Sequence, residues 1–488
     1  MADRARGPVN PPMPAAPPGP AASPGFPAAP MPAAPTNHAA PPRRTRPDLA
    51  PAGETVAARL WRALRTAGVR AVYGDAGRGL PVTAPVPAAL APLLVAAHER
   101  VHRERAASWV DDVLTVGAGF PPPRRLRLDD AARIGELVAA ATGTAPGGDA
   151  VAIRVDLDLA RPAGGSAPPA AVPEPPSFSL DDVRARLAAA ERPVVLAGPG
   201  VVTAGAVPAL HAFATAGQAG VLNTWGAKGV FEWRSPHHWA TIGLQRDDFG
   251  LAGLADADLI VAVGLDPDEA PAARWRLAPH VEVAPEALGT LAHTWRRPAG
   301  VAPMPPLRDR LARVTQPGWA VGAGPLPPSR VTRAYGEIAA RGGLVAADPG
   351  VAGFWVARTV ATTVPGSVLV PASRGRDGFA VAAALVARIA CPARPVLAVL
   401  DALAAPGTAG TAGALRELSA ALGLPVPVET WTPDGPAPDA DAHGRRLADA
   451  VYGETPADLA LRTDSRWLAR MIDVAGPVIA WTDGSPQP

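Results

Sequence analysis

The 488-residue chain holds a single cysteine, Cys391, which excludes an internal disulfide and any cysteine-built metal cluster. That usage suits the cytoplasm. Excess charge of one sign is also missing: 46 Lys and Arg stand against 44 Asp and Glu, a formal net charge of +2, with 18% of residues charged. Despite a sequence pI of about 9.1, this balance provides no strong pull toward nucleic acid or an anionic membrane. No stretch of membrane-spanning length is free of both charge and proline, and prolines break up the N-terminus where a secretory signal would need an apolar core. What remains is small-molecule chemistry or protein contacts, on a chain long enough for two to four domains.

Residues 1–50 form a Pro/Ala-rich tract ending in Arg43-Arg44-Thr45-Arg46, without the periodicity or apolar bulk to pack, and are expected to be a disordered tail. Order is expected from about Glu54. Val56, Leu60 and Leu64 recur at helical spacing, and Val69–Gly74 reads as a strand ending in glycine. Further on, the apolar run Val194–Ala197 ends in Gly198-Pro199-Gly200, and Ala257–Val263 ends in Gly264. Both suit buried parallel strands leading into tight turns. Strand, glycine turn, helix and strand predict a doubly wound α/β unit, whose ligands bind at the glycine ends of the strands.

Three stretches carry a resemblance: Arg192–Val201, Asn223–Phe231 (Asn-Thr-Trp-Gly-Ala-Lys-Gly-Val-Phe) and Thr241–Phe249. Together they resemble the middle domain of thiamine diphosphate-dependent enzymes, in the acetolactate synthase and benzoylformate decarboxylase branch. The resemblance implies three doubly wound parallel-sheet domains: a shortened pyrimidine-binding-like domain over 51–160, the middle domain over 178–300 and a diphosphate-binding-like domain over 329–488. Segments 161–177 and 301–328 would be linkers. It also implies a homodimer or tetramer, or pairing with an intact paralogue, because relatives hold the cofactor between subunits.

Glu99 follows Gly74 by 25 residues in a His98-Glu99 pair, where relatives keep the glutamate that activates thiamine diphosphate through N1′ of its pyrimidine. The alternative is that Glu99 belongs to the charged run Glu99–Arg105 on a solvated helix face. After Glu99 a βαβ unit is missing, so uncovered sheet edges are expected unless a partner covers them. In the third domain, Ser373–Ala383 takes the place of a glycine-rich cofactor loop, which makes Gly375, Asp377 and Gly378 candidate cofactor contacts. Asp377 would put a charge against the cofactor rings unless Arg374 or Arg376 pairs with it.

The Gly-Asp-Gly turn that holds Mg²⁺ in relatives reads Leu400-Asp401-Ala402 here. Asp401 is the candidate ligand to Mg²⁺ and diphosphate, with Thr432 as second metal ligand and Glu429 or Thr430 as substitutes. Pro427 is unexpected inside what should be a buried strand. Lys228 and Arg246 could hold a phosphate of FAD, although Gly198-Pro199-Gly200 lacks the spaced Gly-x-Gly-x-x-Gly fingerprint, and the His237-His238 pair reads as turn or surface. Two functions follow. One is decarboxylation and carboligation of a 2-oxo acid, as a lyase or transferase like acetolactate synthase; the other is a non-catalytic scaffold or regulatory relative that no longer binds the cofactor.

Overall fold

Alternating apolar strands and amphipathic helices assemble three sheets, each covered by helices. The computed structural model describes residues 54–75, 80–118, 124–143, 150–164, 180–297, 300–301, 303–372, 377–402, 408–453 and 457–481. The tail 1–50, most of the 161–177 linker and Gly375 lie outside them. Residues 52–488 form one compact unit, and among the described residues no helix is long and apolar enough to cross a membrane.

The first sheet comprises β1 (Val69–Gly74), β2 (Ala84–Pro85), β3 (Arg105–Val110), β4 (Val113–Val116), β5 (Arg124–Leu128) and β6 (Val151–Val155), in the order β2-β1-β3-β4-β6-β5. It is mixed, because β4 runs antiparallel to β3 and β6 while the other pairs are parallel. Between β3 and β6 the antiparallel β4 fills the sheet, where uncovered edges were expected. Val110 pairs with Val113 across Asp111 and Asp112, whose φ values of 48° and 61° make the two-residue turn that suits a hairpin's twist. The outer strand β5 exposes Arg124, Arg125 and Arg127, charges that discourage pairing with another edge.

β7 (Pro193–Ala197), β8 (Gly220–Thr224), β9 (His238–Ile242), β10 (Leu259–Val263) and β11 (His280–Val283) form the second sheet, entirely parallel, in the order β11-β10-β7-β8-β9. Its strand order reverses between β7 and β10. A Cβ on Gly198 would sit 2.3 Å from the Gly264 carbonyl oxygen, and one on Gly200 2.7 Å from Gly264 Cα. The glycines let the two turns touch, which closes the crevice where such a sheet would otherwise take a ligand.

The third sheet is also parallel, with β12 (Leu344–Ala347), β13 (Val368–Leu369), β14 (Val396–Asp401), β15 (Val428–Trp431) and β16 (Leu459–Leu461) in the order β13-β12-β14-β15-β16. Pro427 precedes β15 rather than interrupting it, and only its carbonyl joins the ladder, accepting from Ala398 N–H. Leu459 opens β16 directly after Asp458. Residues 301–328, expected as a linker, contain helix Leu307–Ala320, which packs on helices Pro328–Ala340 and Arg466–Ala475.

Among the contacts that join the sheets are a helix pair and a buried ion pair. Helices Ala91–His102 and Phe379–Ala390 pack on each other between the first and third sheets, through Leu94, Val95, Phe379, Val381 and Leu385. Between the second and third, Arg358 pairs with Asp248 at 2.7 Å with both side chains buried, and its Nη1 donates to the Thr241 carbonyl. Removing one member of a buried pair strands the other charge. Asp248→Ala is expected to lower the stability to denaturant by about 3–5 kcal/mol; a change within error of zero would show that the pair does not hold the sheets together.

Candidate functional site

Between β12 and β14 the strand order of the third sheet reverses, and the carboxyl ends of strands at such a reversal are where open α/β sheets receive ligands. Two carboxylates stand there. Asp348, just past β12, accepts from Gly378 N–H at 2.6 Å and Ala380 N–H at 2.7 Å at the start of helix Phe379–Ala390. Burial pushes its carboxyl up to about 7 against those two bonds, and nearby Asp377 adds to the rise. Asp401, the last residue of β14, accepts through Oδ2 from Val351 N–H at 2.8 Å, at the start of helix Val351–Thr359. The close approach needs glycine at 350, where φ is 143° and a Cβ would lie 3.1 Å from Asp401 Oδ2.

The sequence-predicted residues are therefore distributed unevenly. Asp377 and Gly378 do reach this edge, and so does Asp401. Thr432 follows β15, whose Trp431 is in register with Asp401, so it borders the same edge while its N–H bonds the Leu461 carbonyl. Glu429 is not free to serve as a ligand. It is fully buried, accepts from Tyr335 Oη, and lies 3.1 Å from His443 Nε2, with Trp431 Nε1 donating to Tyr335 Oη at 3.0 Å. Among the described residues no group of three or more His, Cys, Asp or Glu side chains is arranged to hold a metal ion.

Glu99 lies in the last turn of helix Ala91–His102, which the run Leu93–Ala97 helps to build, and β3 follows directly. Its side chain is buried, not solvated, and accepts from Ala106 N–H at 3.4 Å. Its charge acts on Arg105, raising a guanidinium pKa that burial lowers. Beside it, His98 Nδ1 meets Tyr73 Oη at 2.9 Å, while His98 Nε2 is buried without a partner.

Residues that sequence reasoning missed surround this helix. Arg100 reaches Asp266 at 2.9 Å and Glu269 at 3.4 Å in the loop after β10, and Arg103 donates to the Pro365 carbonyl at 2.6 Å. Glu269 also accepts from Thr224 Oγ1 at 2.5 Å and Gly226 N–H at 2.9 Å; burial pushes its carboxyl up to about 7 against the pull of Arg100. The only sequence signal for this joint is acidic residues directly after an apolar strand.

The residues suggested for FAD are placed differently from one another. Arg246 is exposed and pairs with Asp247 at 2.7 Å, whereas Lys228 is buried. His237 is in a turn, as expected, but His238 opens β9 with its ring held to Asn223 Oδ1 at 3.0 Å. A cavity of about 450 Å³ lies at the ends of β10 and β11, lined by Leu265, Trp275, Arg276 and Glu282 among others. Its arginine is paired with Glu282 at 2.5 Å, so the lining has no unpaired cation for a phosphate.

Three sheets with these strand orders make a three-sheet α/β fold, two of whose sheets are wholly parallel with a switch point each. The family model "Thiamine pyrophosphate enzyme, central domain" matches residues 180–296, the central segment of the chain. The large subunit of acetolactate synthase isozyme 2 from Escherichia coli K12 is 26% identical over 242 residues, covering 44% of this chain and 43% of that subunit. The match thus spans less than half of the curated relative. A solved structure from Mycobacterium smegmatis, provisionally described as a thiamin diphosphate-dependent enzyme, superposes with a TM-score of 0.63 at 17% identity. That likeness covers 84% of this chain and 99% of the other, and it concerns the fold alone.

Asp348 has a measurable signature. Its folded pKa of about 7 exceeds the unfolded value of about 4, so the native state holds the extra proton between them. The associated stability is present at the acid end and lost as pH rises through that window. From about pH 5 to about pH 7.5 the wild type is expected to lose on the order of 1–3 kcal/mol relative to Asp348→Asn in denaturant titrations; parallel pH profiles would contradict this environment for Asp348.

Proposed function

We propose that this chain is a thiamine-diphosphate-enzyme relative that acts as a non-catalytic scaffold or regulator, self-associating or pairing with an intact relative, rather than as a cofactor-bearing catalyst. One observation carries the reading. The helix N-termini at the switch point of the third sheet, the natural seats for an anion, are occupied by the chain's own carboxylates, Asp348 and Asp401. Above about pH 7, where Asp348 is ionised, a diphosphate brought to that edge meets like charge, on the order of 4 kcal/mol per pair of unit charges about 4 Å apart at an effective dielectric of about 20. Leu400 and Ala402 flank Asp401 where a cradle needs residues without side chains. The donor set does not fit thiamine diphosphate with Mg²⁺, and we derive no reaction step through that group.

A second reading has its own support. Glu99 is buried in a setting that suits a cofactor-activating carboxyl, and the E. coli relative is an acetolactate synthase subunit. Under this reading the chain would decarboxylate a 2-oxo acid such as pyruvate and join the product to a second carbonyl.

Calorimetric titration of the full chain with thiamine diphosphate and Mg²⁺ separates the two. No binding heat is expected at millimolar cofactor, together with no release of carbon dioxide from pyruvate. Micromolar binding that is lost in Glu99→Gln and Asp401→Ala would overturn the scaffold reading in favour of the carboligase. Sedimentation is expected to show a dimer or larger species, and a strict monomer at all concentrations would remove the self-association part.

A further inference from the structure

Lys228 is the only lysine in the chain. It is 7% exposed, follows the short helical turn Trp225–Ala227 after β8, and among the described residues no carboxylate lies within ion-pairing distance of it. The charge acting on it is basic: Arg358, from helix Val351–Thr359. Lys228 and Arg308 in turn act on His238 at the start of β9, and Arg308 of helix Leu307–Ala320 donates to the His238 carbonyl at 2.9 Å. Asp248, the acid nearest to Arg358, is already bound through both oxygens to that guanidinium and to Leu244 and Gln245 N–H. Arg358 still has a buried Nε with no hydrogen-bond partner. The cluster thus combines an amine without a counter-ion and an unused guanidinium donor.

We propose that Lys228 is a site of reversible carbon dioxide addition, forming a carbamate. The Nζ lone pair attacks the carbon of CO₂, a C–N bond forms as one C=O π pair moves onto oxygen, and a proton leaves to water. No oxidant or reductant is needed. The product is an anion, whose charge the Arg358 guanidinium favours instead of opposing.

The amine's charge state favours the same step. Burial, reinforced by Arg358, lowers the ammonium pKa to about 7, so a large share of Lys228 is neutral at physiological pH. For an ordinary lysine with a pKa near about 10.4 that share is roughly a thousandfold smaller. CO₂ is small and apolar enough to reach a side chain this enclosed.

The test equilibrates the full-length chain with ¹³C-labelled bicarbonate and CO₂ and records ¹³C spectra. One carbamate resonance is expected besides that of the terminal amine. At neutral pH its occupancy should be at least about tenfold above that of a single-lysine reference peptide, given the larger neutral fraction. It should grow between about pH 6 and about pH 8, and vanish in Lys228→Arg and in urea-unfolded wild type. Trapping with triethyloxonium on the wild type, followed by mass spectrometry, locates the adduct without relying on a variant. An adduct on the Lys228 peptide supports the proposal. Labelling confined to the N-terminus, occupancy equal to that of the reference peptide, or a signal unchanged in Lys228→Arg overturns it.

Discussion

The helix Phe379–Ala390 is buried along its first nine residues, between the third sheet and the helix Ala91–His102 that covers the first. Its run of Ala380, Ala382, Ala383, Ala384 and Ala387 keeps the cylinder thin enough to be enclosed on every side. A helix so enclosed cannot leave its first N–H groups to water, so an acceptor must come from within the fold. Asp348 is that acceptor, and from this requirement the character of the neighbouring edge follows. Once a carboxyl is needed there for packing, the N–H groups at the start of that helix are no longer open to an anionic ligand.

The second and third sheets were largely legible in the sequence because strands covered on both faces read as unbroken apolar runs, and Val194–Ala197, Leu259–Val263 and Val396–Val399 all do. Of the first sheet only β1, Val69–Gly74, was read from the sequence. Its middle closes with an antiparallel strand, and the turn that allows it rests on two aspartates in left-handed conformation, which a pattern of apolar residues does not reveal. Pro427 looked like a broken strand and proved to be the residue before one.

The candidate site was legible residue by residue but not in its bonding. Asp401 was identified from its place after a strand, yet its engagement with Val351 depends on a helix start 50 residues away. Nothing in the sequence marks Asp348 for its role, since its partners Gly378 and Ala380 lie 30 and 32 residues further on. Glu99 was weighed as a solvated charge because its sequence neighbours are charged. Those neighbours turn outward to other sheets: Arg100 to the loop after β10 and Arg103 to Pro365, leaving the glutamate enclosed behind them.

The two-aspartate hairpin also bears on how the chain reaches its fold. A crossover between parallel strands must close a long loop before any pairing rewards it, whereas β3 and β4 meet across two residues. Pairs of this kind form within about 1–10 μs, far ahead of the distant pairings that the other two sheets require. β3 also abuts β1, so an early β3–β4 ribbon offers a ready edge for Val69–Gly74 and, on its far side, for β6. Replacing a crossover by a turn thus gives the first sheet a local nucleus that its all-parallel companions lack.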